Sequence, residues 1–153
     1  MPIVEKVEVS SPVFPSGGRL PVRYTCDGAN ASLPLKWSGI PSDTAELMVD
    51  VLTLEPVNGK LFFAWAVAGL SPKSHGIAAG KLPSGAVEGV NSTDSTSYTL
   101  CPTRSKHEQY VVVVFALTHS LGLKQGFNAV AARERALQDA EYEGFLPFLY
   151  KRS

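Results

Sequence analysis

Apolar positions along the chain fall into short runs separated by turns. Leu47 to Leu54 (Leu-Met-Val-Asp-Val-Leu-Thr-Leu) and Leu61 to Val67 (Leu-Phe-Phe-Ala-Trp-Ala-Val) are apolar on nearly both faces. Tyr110 to Leu117 is β-branched, aromatic and uncharged, the strongest strand pattern in the sequence. A strand that is apolar on both faces lies between two layers, so these runs predict a sheet covered by a second sheet or by helices. Lys6 to Val9 alternates and predicts a half-buried edge strand. Turn signals separate the runs at Ser16-Gly17-Gly18, Asp27-Gly28, Gly39 to Asp43 and Pro56 to Gly59. The segment from Ser71 to Arg104 carries few strand signals, and long loops in compact domains are often functional, so it is the expected rim of a site.

One helix is expected over Ala129 to Glu143, with Asn128 as N-cap and Gly144 as the stop. Its apolar stripe would be Val130, Leu137 and Ala140. Ser42 opens either a second short helix or a turn. The pattern as a whole gives a mostly β core with a C-terminal helix.

Composition narrows the class. The 153 residues fit one domain, residues 1–153. With 44% hydrophobic and 18% charged residues and no net charge, the chain has neither the composition of a disordered protein nor the basic surface that nucleic acid requires. The near-zero charge is compatible with self-association, such as a homodimer. The N-terminus lacks the apolar h-region of a signal peptide, and the uncharged run Leu61 to Leu70 is about half of what a membrane span needs, so no membrane insertion is expected. The expected location is therefore cytoplasmic. The sequons at Asn30 and Asn91 are then chance matches.

Candidate chemistry is sparse. Cys26 and Cys101 form no CxxC, and His75, His107 and His119 sit at no ligand spacing, so neither a metal nor a cofactor is expected. Two reduced thiols suit the expected compartment, with a single disulfide as the alternative. The best catalytic pair is Cys101 with His107, near Arg104 and Lys106, whose charge would lower a thiol pKa. The plainer expectation is that Cys101 closes a loop and His107 is solvated. Asp50 stands alone in an apolar strand and is expected to be half-exposed or hydrogen-bonded.

The ordered turns and strands resemble a known family. Ser11-Pro12, Arg23-Tyr24-Thr25-Cys26-Asp27-Gly28 and Ser32-Leu33-Pro34-Leu35-Lys36-Trp37 are similar to the phosphatidylethanolamine-binding protein family, in its bacterial Raf-kinase-inhibitor-like (YbhB/YbcL-like) branch. The Leu47 strand, Trp65, Glu88-Gly89-Val90-Asn91, Cys101-Pro102, Tyr110 with Phe115-Ala116-Leu117, and a C-terminal helix ending in Tyr150-Lys151-Arg152 follow in order. The resemblance spans about residues 9 to 152 and implies an antiparallel Greek-key β-sandwich with peripheral helices.

The resemblance also implies an anion pocket made from an Asp-Pro-Asp strand end, a His in the next strand and a His two residues before a Tyr. Those positions fall on Val51-Leu52-Thr53, Ala64 and Glu108, and the glycines before Cys-Pro are replaced around Tyr98-Thr99-Leu100. Tyr110, Cys101 and Pro102 keep family identity. Strand alternation places Val51 with Thr53, Phe62 with Ala64, and Glu108 with Tyr110. A one-residue slip would instead bring His107 into the pocket. The implied function is a non-catalytic domain with altered or lost head-group binding, taking a small neutral or weakly anionic ligand through Thr53, Glu108 and Tyr110. The alternatives are a protein partner, met by a kinase or protease inhibitor-like regulator through the 71–104 loops, and an enzyme using Cys101, His107 or Glu108.

Overall fold

The computed structural model describes residues 7–56, 59–102 and 107–151, with the backbone alone at positions 107 and 108. In chain order the elements are β1 (Glu8–Ser10), a 3-10 turn (Val22–Tyr24), β2 (Leu35–Ser38), β3 (Glu46–Thr53), β4 (Phe63–Leu70) and β5 (Gly76–Ile77). Then come β6 (Val87–Val90), β7 (His107–Leu117), β8 (Phe127–Asn128), α1 (Ala129–Asp139) and β9 (Ala140–Lys151). A small sheet has the order β1-β2-β5, and a large one the order β8-β6-β4-β3-β7-β9. A long connection carries the chain from β6 across to β7, on the far side of β3. All ladders are antiparallel except β6 with β8, where Gly89 faces Phe127 and Val90 faces Asn128. That pair departs from the all-antiparallel expectation because the chain runs alongside β6 to deliver Asn128 to the helix. Gly89 makes the approach feasible: a Cβ there would lie 2.6 Å from the Phe127 ring.

The large sheet is covered on both sides, as the doubly apolar strands require. Leu47, Val49 and Val51 of β3 and Tyr110, Val112 and Val114 of β7 pack into the sandwich core against Trp37, Leu35 and Ile77 of the small sheet. Met48 and Leu52, with Val111, Val113 and Phe115, face the other way and pack against α1. Each large side chain buried in this way stabilises the fold by roughly 1.5–3 kcal/mol. A bulge interrupts the alternation in β4: Val51 pairs with Trp65 and Leu52 with Phe63, leaving Ala64 between them. Ala64 and Trp65 both enter the sandwich core as a result.

Asn128 caps α1 as expected, its side chain accepting from the Ala131 N–H at 2.9 Å. The helix stops earlier than expected, at Asp139, and residues 140–151 form a strand rather than a helix end. Ala140, Tyr142, Gly144, Leu146, Phe148 and Tyr150 repeat every second residue, and all except half-buried Tyr142 are buried. Gly144 is therefore no helix stop. It sits where β1 crosses β9, and a Cβ there would lie 2.6 Å from the Val7 carbonyl oxygen. The expected apolar stripe is also corrected. Val130 and Leu137 are exposed, and α1 meets the sheet through Ala129, Ala132 and Ala136 because the large side chains come from the sheet. At Ser42 the chain makes a turn, with Thr44 N–H donating to the Pro41 carbonyl.

Candidate functional site

The sequence-predicted residues converge at one end of the sandwich. Thr53 on β3 stands opposite Tyr110 on β7, which stands opposite Phe148 on β9. The Tyr110 and Phe148 rings stack, with centroids 5.3 Å apart and planes 8° apart. Val51, Ala64 and Tyr110 are wholly buried, Thr53 and Pro102 are buried, and Phe62 is half-buried. The Thr53 hydroxyl accepts from the Phe62 N–H at 3.0 Å, and the Thr53 N–H donates to the Phe62 carbonyl. Ala64, at the bulge, accepts from the Thr99 N–H at 2.9 Å, which brings the loop carrying Cys101 against β4. Glu108 pairs with Tyr150 and His107 with Lys151 through the backbone, and the ladder is continuous from His107 to Ala116. The side chains of both residues, with Arg104 and Lys106, lie outside the described residues.

Three polar residues at this end, Tyr150, Asp27 and Thr25, do not stand out as site residues in the sequence. Tyr150 follows Phe148 on the inward face of β9 and donates its hydroxyl to Asp27 Oδ2 at 2.8 Å. Thr25 Oγ1 stands 3.3 Å from the same hydroxyl. The Asp27-Gly28 turn signal fixes only the backbone, so nothing in the sequence pairs it with Tyr150, 123 positions away.

The two cysteines are not reduced thiols. Cys26 and Cys101 form a disulfide across a separation of 75 residues. The two loops are held side by side: Tyr98 donates its hydroxyl to the Tyr24 carbonyl at 2.6 Å, and the Cys26 N–H donates to the Leu100 carbonyl at 3.0 Å. Asn30 bonds both the Tyr98 carbonyl and the Leu100 N–H. These contacts leave the cysteine Cα atoms 5.2 Å apart, within bonding range. A disulfide sulfur is not a thiolate, so Cys101 is no nucleophile for His107 to activate. Burial also pushes the Tyr98 hydroxyl well above its ordinary range, with the neighbouring Tyr24 adding to the effect.

Asn91 organises the following loop and is buried. Its Oδ1 accepts from Thr93 N–H, Thr93 hydroxyl and Ser95 N–H, and its Nδ2 donates to the Ser97 carbonyl at 2.8 Å. Nearby, the buried Trp65 indole donates to Glu88 Oε2 at 2.7 Å, in the wall of a shallow cavity of about 280 Å³. Among the described residues no three His, Cys, Asp or Glu side chains come together as a metal site, and no helix is long and apolar enough to cross a membrane.

Asp50 lies on the opposite face of the large sheet, away from this end. It is wholly buried and neither carboxylate oxygen has a hydrogen-bond partner, which corrects the half-exposed or hydrogen-bonded expectation. Burial raises its pKa to about 8, with the Arg133 charge pulling the other way.

Comparison with known proteins agrees with the fold. The profile of the family described as phosphatidylethanolamine-binding protein matches residues 10–144. A UPF0098 protein of Methanothermobacter thermautotrophicus is 34% identical over 134 residues, covering 84% of this chain and 85% of that protein. A Mycobacterium tuberculosis protein named "Putative lipoprotein LppC" is 33% identical over 141 residues, covering 91% of this chain and 69% of that protein. Among solved structures, Escherichia coli YbcL superposes with a TM-score of 0.89 at 22% identity, covering 97% of this chain and 99% of YbcL. Chlamydia trachomatis CT736 gives 0.88 at 23% identity, covering 98% and 100%.

Proposed function

The chain belongs to the phosphatidylethanolamine-binding protein family, and we propose that it is a non-catalytic small-ligand-binding domain whose anion pocket has lost its family ligand set. One observation supports this. Where the resemblance places carboxylates and an imidazole, Val51 and Ala64 are wholly buried, and the Thr53 hydroxyl is already engaged by the Phe62 N–H. A phosphate monoester needs convergent N–H or O–H donors or cations. The acid at this end, Asp27 on the Tyr150 hydroxyl, opposes a dianion instead. The ligand that suits such walls is a small neutral or weakly anionic molecule, held by apolar contact with a few hydroxyls to orient it.

Isothermal titration with inorganic phosphate and with phosphoethanolamine tests the proposal. No saturable heat is expected at ligand concentrations up to about 10 mM. A Kd of about 1 mM or tighter for either would overturn it.

The working compartment proposed is an oxidising one rather than the cytoplasm. The Cys26–Cys101 disulfide supports this, because cytosolic thiols are kept reduced. A relative named as a lipoprotein points the same way. Alkylation during cell lysis, read by mass spectrometry, should leave both cysteines unlabelled. Full labelling of Cys26 and Cys101 would return the chain to the cytoplasm.

A further inference from the structure

Beneath α1 the second core holds three ionisable side chains, Asp50, Glu143 and Arg133, among hydrocarbons. Asp50 projects from β3 between Met48 and Leu52, with Ala66 on β4 and Val113 on β7 as its register partners. Glu143 on β9 is buried on the same side of the sheet, opposite Phe115. From above, α1 contributes Ala129, Ala132, Ala136 and the half-buried Arg133. Both oxygens of Asp50, Oε1 of Glu143 and Nε of Arg133 are buried with no hydrogen-bond partner. No Arg133 nitrogen comes within 4 Å of either carboxylate. Further along the same face of β3, Glu46 accepts from Ser120 through Oε1, while its Oε2 is also unpartnered.

We propose that Asp50, Glu143 and Arg133 form a proton-operated latch, in which loss of a proton from the buried acids releases α1 from the large sheet. A charged carboxylate with no hydrogen bond is costly inside hydrocarbon, so the closed helix favours the protonated acid. Both acids are pushed up by burial, while Arg133 pulls both down. Lifting α1 gives the carboxylates water, and Asp50 then titrates near its ordinary 3.8 instead of about 8.

The helix is lightly held. Its buried side is alanine, each contributing little more than one methyl or about 0.8 kcal/mol. Its larger apolar residues, Val130 and Leu137, face solvent. The ends are tethered by the pairing of Asn128 with Val90 on β6 and by Asp139, which accepts from Thr118 and His119. Those tethers let the middle lift without unfolding the sandwich.

Linkage gives the sign and the size. The closed state keeps a proton that the open state gives up, so the opening constant rises about tenfold per pH unit between roughly 4 and 8, then levels off. Hydrogen exchange read by mass spectrometry on the intact protein from pH 6 to 9, corrected for intrinsic rates, measures it. Peptides spanning 129–139 should exchange ahead of those from β2 and β7 at every pH. Their protection should fall about tenfold per unit from pH 6 to 8 and be insensitive to low urea. In Asp50→Asn the protection should be higher and its fall with pH much shallower, the remainder being carried by Glu143. In Arg133→Met the levelling point should move to higher pH, because the charge that lowers both acids is gone.

Exchange of α1 together with β7 at one rate would show that Asp50 titrates only on global unfolding, and would overturn the latch. So would a pH dependence as steep in Asp50→Asn as in the wild type. An unmoved levelling point in Arg133→Met would remove Arg133 and with it the three-residue device.

Discussion

Asn91 uses both ends of its amide, three contacts to Oδ1 and two from Nδ2, the second reaching the Ala64 carbonyl at 3.4 Å. It thereby ties the loop after β6 to the bulge on β4, beside the candidate site. Asn91→Ala leaves two carbonyls and three donors to find water, and should cost about 2–4 kcal/mol in urea denaturation. In the sequence this residue reads as a glycosylation sequon or as part of a family motif, because a hydrogen-bond hub is defined by loop geometry rather than by neighbouring residue types. Asp139 gives a second prediction at this scale. Burial pushes its carboxyl up, but hydrogen bonds from the His119 side chain and N–H and from Thr118 outweigh this and hold it below the ordinary value of 3.8. A lowered acid stabilises the fold above its unfolded pKa and loses that contribution as pH falls through the folded one. Denaturation midpoints measured from pH 6 down to 2 should therefore fall less steeply in Asp139→Asn than in the wild type.

Among the elements, the strands with apolar residues on both faces were the most legible. β3, β4 and β7 lie where their sequence runs predict, and the two cores on either side of the large sheet explain why no polar face is present. The boundary of α1 was not legible in the same way. Ala-rich composition extends a helix pattern, while Tyr142, Leu146, Phe148 and Tyr150 set a period of two that belongs to β9. Tertiary pairing with β7 decides between them, and Gly144 records the decision, since β1 presses on the strand there. Gly144→Ala would set a Cβ 2.6 Å from the Val7 oxygen and 2.6 Å from Val9 Cγ2. One contact is backbone, so β1 must shift. We expect a loss of about 1–3 kcal/mol in thermal or urea unfolding, with the helix signal unchanged by circular dichroism. A residue acting merely as a helix stop would tolerate alanine and lengthen α1.

Across the whole molecule, the candidate site is assembled from segments that are distant in sequence, and this sets the limit of what the residues alone reveal. The resemblance placed Val51, Thr53, Ala64 and Tyr110 together, and strand register brings them to one end of the sandwich. It did not join Cys26 to Cys101 or Asp27 to Tyr150, because two cysteines at an arbitrary spacing carry no information about pairing. The disulfide closes a loop containing β2 to β6, so its largest effect is on the unfolded chain. With the cysteines separated by 75 positions, chain entropy puts its contribution at about 4 kcal/mol. Urea titrations of the protein with and without dithiothreitol, and of a Cys26→Ser, Cys101→Ser double variant, should lose stability of that order. The reduced protein and the double variant should agree, since both lack the crosslink and keep the sandwich core. Hydrogen exchange adds the local consequence. Residues 24–30 and 98–102 should lose protection first on reduction, because Tyr98, Asn30 and the Cys26 N–H are then the contacts left between them. Protection lost uniformly over the large sheet, with those two loops no worse than the rest, would mean that the bridge supports the fold without shaping the site.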